Sequence, residues 1–299
     1  MRIDPNITPD LLAELQQSQV TLNTALQQVS TGLSVNEPSD NPTAAAQMVQ
    51  NTIETGDLDE YTQNVSTSLS TLQSAGSVLN SVVTSLTSAL SAGTEGANGT
   101  NSTTDLQALA SQVQGILTGV VSAANTSISG SYLFGGTSTA TPYTADPASP
   151  TGYTYNGNND TNSVAVGDQT SVQINLPGSQ IFSAAGNNVI GALSSLVTAL
   201  QGGSSSNIET ATAAVDSALN FVSQQQVFYG NAETQLNSQE TFLQQDKVTL
   251  STQANNLIGV NESTAATELS QAETDNSAAL AAVAKVLPNS LLNYLEPPS

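Results

Sequence analysis

Four carboxylates within seven residues, Glu54, Asp57, Asp59 and Glu60, are the densest set of reactive side chains in this 299-residue sequence. Paired carboxylates can pass protons or hold a hard cation. On a helix, however, this spacing spreads them around the circumference, so a solvated acidic face is expected. Asn156-Gly157-Asn158-Asn159-Asp160 is oxygen-rich, but it lacks the alternating acids and closing Glu of a calcium loop. It reads as a hairpin turn. Lys247 and Lys285 are not part of a Ser-x-x-Lys element, and Gly135-Gly136 has no Lys beside it to make a phosphate cradle. Carboxylate-only glycan cleavage is the one catalytic class that composition leaves open. A chain without Trp lacks the ring platforms such a cleft uses.

Composition narrows the field further. The sequence has 3 Lys and Arg, 24 Asp and Glu, no His and no Cys, for a formal charge of −21. Three cations cannot neutralise the phosphates that nucleic-acid binding requires, nor make a basic patch for an anionic membrane. Without Cys or His there is no thiol nucleophile, disulfide, zinc finger or histidine base. No catalytic residue, cofactor or metal ligand is therefore assigned. Met1 to Asp10 carries two acids and two prolines, unlike a secretory signal, and the best apolar run, Ala278 to Ala284, is too short to span a bilayer.

What remains is helical periodicity. Leu12, Leu15, Gln19, Leu22, Leu26, Val29 and Leu33 step alternately by three and four, the spacing of a packing seam, and Pro38 is expected to end that helix. Asn41-Pro42 reads as a cap and first turn. A second helix follows, with Val65, Leu69, Leu72, Gly76, Leu79, Val83, Leu86 and Leu90 in the same alternation, and a third with Leu106, Leu109, Val113, Ile116 and Val120. From about Gly130 to Phe182 the text changes: four of the seven Tyr and four Pro flank short alternating runs, Ser163 to Val166 and Val172 to Leu176. These predict a small β insert. Helical spacing then returns, with Tyr229, Leu236, Leu243, Leu250 and Leu257 seven apart up to Gly259. A last helix carries Leu269, Leu280, Val283 and Leu287, expected to stop before Pro288, followed by an apolar tail with Leu291, Leu292, Tyr294 and Leu295.

The expected fold is mainly α: a long antiparallel, coiled-coil-like rod made by both chain ends, with a β-rich domain inserted mid-chain. Three parts are expected. They are a terminal pair (1–37 and 261–299), a helical body (38–136 and 187–260) and a β-rich domain (137–186). A lone amphipathic helix at each end can pair with its counterpart and still leave apolar surface, the mark of an assembly interface. Its candidate residues are Leu12, Leu15, Leu22, Leu26, Val29, Leu33, Leu269, Leu280, Val283, Leu287, Leu291, Leu292, Tyr294 and Leu295.

Three local motifs carry a resemblance. Ser30-Thr31-Gly32-Leu33 leads to Pro38-Ser39-Asp40-Asn41-Pro42-Thr43-Ala44-Ala45, Tyr132-Leu133-Phe134-Gly135-Gly136 lies mid-chain, and Ser290-Leu291-Leu292-Asn293-Tyr294-Leu295 lies near the end. Together they resemble the flagellin superfamily, and within it the branch at the hook–filament junction. Asn41 departs from the more usual Asp, and the N-terminal region keeps only Arg2 where the family usually carries more Arg and Lys. The resemblance implies a structural, non-enzymatic subunit of the extracellular bacterial flagellum, exported by the flagellar type III apparatus without a cleaved signal. It implies as partners further copies in a ring, hook-associated protein 1, flagellin and an export chaperone. The alternatives are flagellin itself, the bulk filament subunit, and, from another class, a carboxylate-dependent glycan-cleaving enzyme.

Overall fold

The computed structural model describes the backbone of residues 7–295 and the side chains from 9 to 285. The order is α1 (Ile7–Thr31), α2 (Pro42–Gly96), α3 (Thr103–Ala124), β1 (Ser127–Ile128), β2 (Ser131–Tyr132), β3 (Tyr143–Ala145), β4 (Tyr153–Tyr155), β5 (Ser163–Gly167), β6 (Thr170–Gln173), α4 (Gly178–Ile181), α5 (Val189–Gly202), α6 (Ser205–Ile258) and α7 (Glu262–Leu295). The chain is thus mainly α, with a small β-containing region in mid-sequence. It forms two compact units. One joins both chain ends, up to Asp57 and from Gln245 onward; the other is Leu58–Gln244.

In the second unit, α2 turns Val65, Ser68, Leu72, Ala75, Leu79, Val82, Leu86 and Ala89 inward, against buried Ile208, Val215, Val222, Tyr229 and Leu236 of α6. The periodicity predicts a line one residue off at every second place. Leu69, Val83 and Leu90 in fact sit half-buried on its flank. At 68 and 89 a smaller residue, Ser68 or Ala89, goes inside in place of the neighbouring leucine. The helices approach closely near the end of α2, where a Cβ on Gly93 would collide with the Thr212 side chain. Many α2 hydroxyls bond the carbonyl four residues back, as Thr71 does to Thr67 (3.0 Å) and Ser88 to Thr84 (3.1 Å). That satisfies the side chain without favouring the helix, so packing has to stabilise α2. Helix α3 starts on a reciprocal cap, in which the Asp105 amide donates to the Ser102 hydroxyl (3.2 Å) and the Ser102 amide to the Asp105 carboxylate (3.0 Å).

The β region is three antiparallel hairpins, β1–β2, β3–β4 and β5–β6, not one continuous sheet. The Ser163 run pairs with Thr170–Gln173, so only Val172 and Gln173 of the expected Val172–Leu176 run are strand, with a register shift between Ala165 and Gly167. Gln239 of α6 donates to the Val166 carbonyl (2.9 Å) and Asn64 of α2 to the Ala165 carbonyl (3.2 Å), fixing this hairpin to the helices. Asn156-Gly157 is not a hairpin turn. The β3–β4 connection runs through Asp146, Ser149 and Gly152 instead, and Gly157 packs against the Tyr155 ring and the Gly135 carbonyl.

Two helix ends also differ from expectation. α1 stops at Thr31, well before Pro38, because Gly32 takes the left-handed conformation (φ 72°) and its amide closes on the Gln28 carbonyl (2.9 Å). α7 runs on through Pro288 to Leu295. A proline removes one amide donor from a helix, and here that loss does not terminate it.

Candidate assembly site

In the first unit, α1 and α7 pack antiparallel behind a short two-stranded tie. Leu33 and Gly259 form a bridge, the Val260 amide donates to the Gly32 carbonyl (3.0 Å) and the Ser34 amide to the Ile258 carbonyl (2.6 Å). A Cβ on Gly259 would strike the Asn255 carbonyl, so only glycine fits there. Asn261 then caps α7, its Oδ1 accepting the Ser263 and Thr264 amides (3.1 and 3.2 Å).

The segment Asn36–Asn41, part of the first family-like motif, is a turn organised by one carboxylate. Asp40 Oδ2 accepts the amides of Asn36 and Glu37, each at 3.0 Å. These bonds, the Glu37 amide's first, hold its pKa below the ordinary carboxylate value. Asn41 caps α2 by accepting the Ala44 amide (3.1 Å), and Pro42 opens the helix. Asn41 in place of Asp therefore keeps the capping function.

The predicted seam on α1 divides in two. Leu15 and Leu22 are half-buried toward α7, together with Leu11, Ser18 and buried Ala25. Leu12, Leu26 and Val29 stand 48%, 45% and 43% exposed. Leu33 lies outside the helix, in the bridge. On α7, Leu269 and Val283 are half-buried, in line with buried Ala265 and Ala272, whereas Leu280 is 48% exposed. The side chains of Leu287, Leu291, Leu292, Tyr294 and Leu295 lie outside the described residues, although their backbone continues α7.

Ten large hydrophobic side chains stand exposed among the described residues, and eight of them belong to this unit: Leu12, Val20, Leu26, Val29, Val49, Ile53, Val248 and Leu280. Val49 and Ile53 border a groove of about 360 Å³ floored by Val35, Pro38, Met48 and Ile258. The seam argument missed this groove. Its signal was the pair Val49 and Ile53, one turn apart near the start of α2.

The mid-chain motif plays a different part. Leu133, Phe134, Gly135 and Gly136 are buried, Phe134 meets Phe182 edge-on (centroids 5.1 Å apart), and Tyr132 shares a hydrogen bond with Thr141 (3.0 Å). The Phe134 carbonyl accepts from the Gly178 amide (2.7 Å) and the Tyr155 hydroxyl (3.0 Å). The Tyr143 hydroxyl donates to the Gly178 carbonyl (2.9 Å), and burial raises its pKa above the ordinary tyrosine range. Gly136 has φ 71°, and a side chain there would collide with Asn158. These residues join the β hairpins to the helices and do not present a binding face.

Among the described residues, no three Asp, Glu, His or Cys side chains form a group able to hold a metal, so the Glu54–Glu60 acids do not converge. No helix of the described residues is long and apolar enough to cross a membrane. In the 156–160 loop, Asn158 donates to Asp160 (2.8 Å) and accepts the Thr137 amide (2.8 Å), so its polar atoms are engaged locally.

Two family models match the sequence: the bacterial flagellin N-terminal helical region over residues 6–139, and its C-terminal helical region over 212–295. No curated protein matches the sequence. Among solved structures, a provisionally assigned flagellar hook-associated protein of Vibrio parahaemolyticus aligns with TM-score 0.68 at 21% identity, over 74% of this chain and 100% of that one. FlgL of Bacillus cereus aligns with TM-score 0.59 at 22% identity, over 69% and 99%. Flagellar hook-associated protein 3 of Legionella pneumophila aligns with TM-score 0.64 at 15% identity, over 70% and 98%. At these identities the likeness is one of fold.

Proposed function

The chain belongs to the flagellin family, and from that premise we propose that it is the structural subunit of the hook–filament junction. The observation that carries this reading is the concentration of exposed apolar side chains in the unit built from the chain ends, four of them on α1, which carries no charge from Leu15 to its end at Thr31. Such a surface mates with a like surface; it does not transform a substrate. The placement at the junction, and not in the bulk filament, draws on the Tyr132–Gly136 motif, on the Ser290–Leu295 ending, and on the hook-associated proteins whose fold the chain shares. In this reading residues 1–37 and 261–299 assemble, 38–136 and 187–260 form the helical body, and 137–186 form the β-rich part. Its partners are further copies in a ring, hook-associated protein 1, flagellin and an export chaperone. It is delivered to the extracellular flagellum through the type III apparatus and has no enzymatic role.

Deleting the gene tests the role. Hooks without filaments, with flagellin shed into the medium, are expected; filaments of normal length on the deletion strain would sink the reading. Flagellin remains the second reading, because both matching family models are flagellin's. Purified chain added to filament fragments separates the two: bulk flagellin elongates them without limit, whereas a junction subunit does not. Removing Ser290–Ser299 is expected to leave a folded chain that no longer incorporates.

A further inference from the structure

An Asn-Gly pair is where a polypeptide most readily modifies itself, because the glycine amide reaches the asparagine side chain with no Cβ in the way. The sequence holds two, Asn98-Gly99 and Asn156-Gly157, and the fold treats them differently. Asn156 is held at both ends: its backbone amide donates to the Pro142 carbonyl (2.8 Å) and its side-chain nitrogen to the Thr144 hydroxyl (2.8 Å). Gly157 is wedged between the Tyr155 ring and the Gly135 carbonyl, where even a Cβ would collide. Asn98-Gly99 lies instead in the exposed turn between α2 and α3, closed by the Asn101 amide on the Asn98 carbonyl (3.2 Å). Gly99 is the second residue of that turn, so its amide lies outside the closing hydrogen bond. A Cβ on Gly99 would meet nothing. Thr100 turns two donors toward Asn98 Oδ1, its hydroxyl at 3.1 Å and its amide at 3.4 Å.

We propose that Asn98-Gly99 is a self-modification site, where the turn converts its own asparagine to aspartate and isoaspartate while Asn156-Gly157 stays intact. The Gly99 nitrogen attacks Asn98 Cγ. Negative charge builds on Oδ1 as that bond forms, and the two Thr100 donors already face this oxygen. The Cγ–Nδ2 bond then breaks, ammonia leaves with the proton that Gly99 gives up, and a five-membered succinimide remains. Water opens the ring at either carbonyl. One product keeps the ordinary backbone; the other runs it through the side chain, with one more methylene. Both carry a new carboxylate, which adds one unit to the formal charge of −21. Neither returns to asparagine in water, so conversion accumulates with the age of the chain. It falls at a joint of the helices. The Asn101 side chain donates to the Glu95 carbonyl (2.6 Å) at the end of α2, and the Ser205 hydroxyl that opens α6 donates to the Ala97 carbonyl (2.5 Å). An added methylene between Glu95 and Asn101 lengthens the loop that the first of these bonds closes.

The test uses purified full-length chain held for weeks in mildly alkaline buffer. Conversion at each position is read by mass spectrometry of its peptides, and isoaspartate by enzymatic methylation. In the folded chain, position 98 is expected to convert at least about tenfold faster than position 156. In urea, which removes the packing around Gly157, the two rates are expected to converge. Gly99→Ala has room for its methyl group, so it is expected to fold like the parent and to convert at least about tenfold more slowly. Thr100→Val removes the hydroxyl donor and keeps the amide; it is expected to melt like the parent and to convert about threefold more slowly. The proposal is overturned if position 98 stays asparagine, if position 156 keeps pace with it in the folded chain, or if either variant converts like the parent. None of these outcomes depends on where the chain sits in the flagellum.

Discussion

Asp105 shows how single residues set the pH range of this fold. Its pKa is lowered first by the Ser102 hydroxyl (2.7 Å) and then by the Ser102 amide. Asp146 is lowered likewise, first by the Thr154 hydroxyl and then by the Ala148 amide. A folded-state pKa below the unfolded one stabilises fully above the unfolded value, near 3.9, and that contribution is lost as pH falls through the folded value. Asp105→Ala should therefore melt below the parent near neutral pH, with the gap closing as both are taken to about pH 2. Tyr143 has the opposite sign. Burial raises its pKa, so its contribution is complete below about pH 10 and is lost as pH climbs through the raised value. Tyr143→Phe should lose roughly 1 kcal/mol at neutral pH, from the bond to the Gly178 carbonyl, yet unfold at a higher pH than the parent in an alkaline titration.

The helices show what a sequence can and cannot fix. Leu72, Leu79 and Leu86 belong to the shared line of α2 and are fully buried. Leu72→Ala should lower unfolding free energy by about 3–5 kcal/mol in a denaturant titration. Leu12→Ala, on the exposed line of α1, should stay within about 0.5 kcal/mol. Both residues fit one seam by period alone, and the period does reveal that each helix exists and roughly where it runs. It does not choose between two lines one residue apart, because heptad spacing is satisfied by both; the choice depends on how closely the facing helix approaches. The Ser163–Val166 run was legible as a strand because alternation and bounding turns agree, whereas the second strand, Thr170–Gln173, takes in only the first two residues of the Val172–Leu176 run. Asn156-Gly157 was misread because such a dipeptide marks a tight backbone without saying what it packs against, here the Gly135 carbonyl. The groove beside Val49 and Ile53 went unseen because it exists only once Val35, Pro38 and Ile258 are brought together by the fold.

At the scale of the whole molecule, charge and surface oppose one another. Twenty-four acids against three cations keep copies apart, while the exposed leucines and valines of the unit built from the chain ends draw them together. The acids are absent from the stretches 15–36, 61–94, 106–145 and 169–208, so like surfaces can meet there without stripping water from ions. The repulsion is long-ranged and therefore screened by salt, with a Debye length near 10 Å at 0.1 M and about 3 Å at 1 M. The apolar attraction is short-ranged and is not weakened in this way. The association constant of the purified chain should accordingly rise as sodium chloride is raised from about 0.01 to 1 M. A fall over that range, measured by sedimentation, would mean that ion pairs between copies hold the assembly. With so few cations in the sequence, Arg2, Lys247 and Lys285 would have to make those pairs, and charge reversal at each of them would locate the contact.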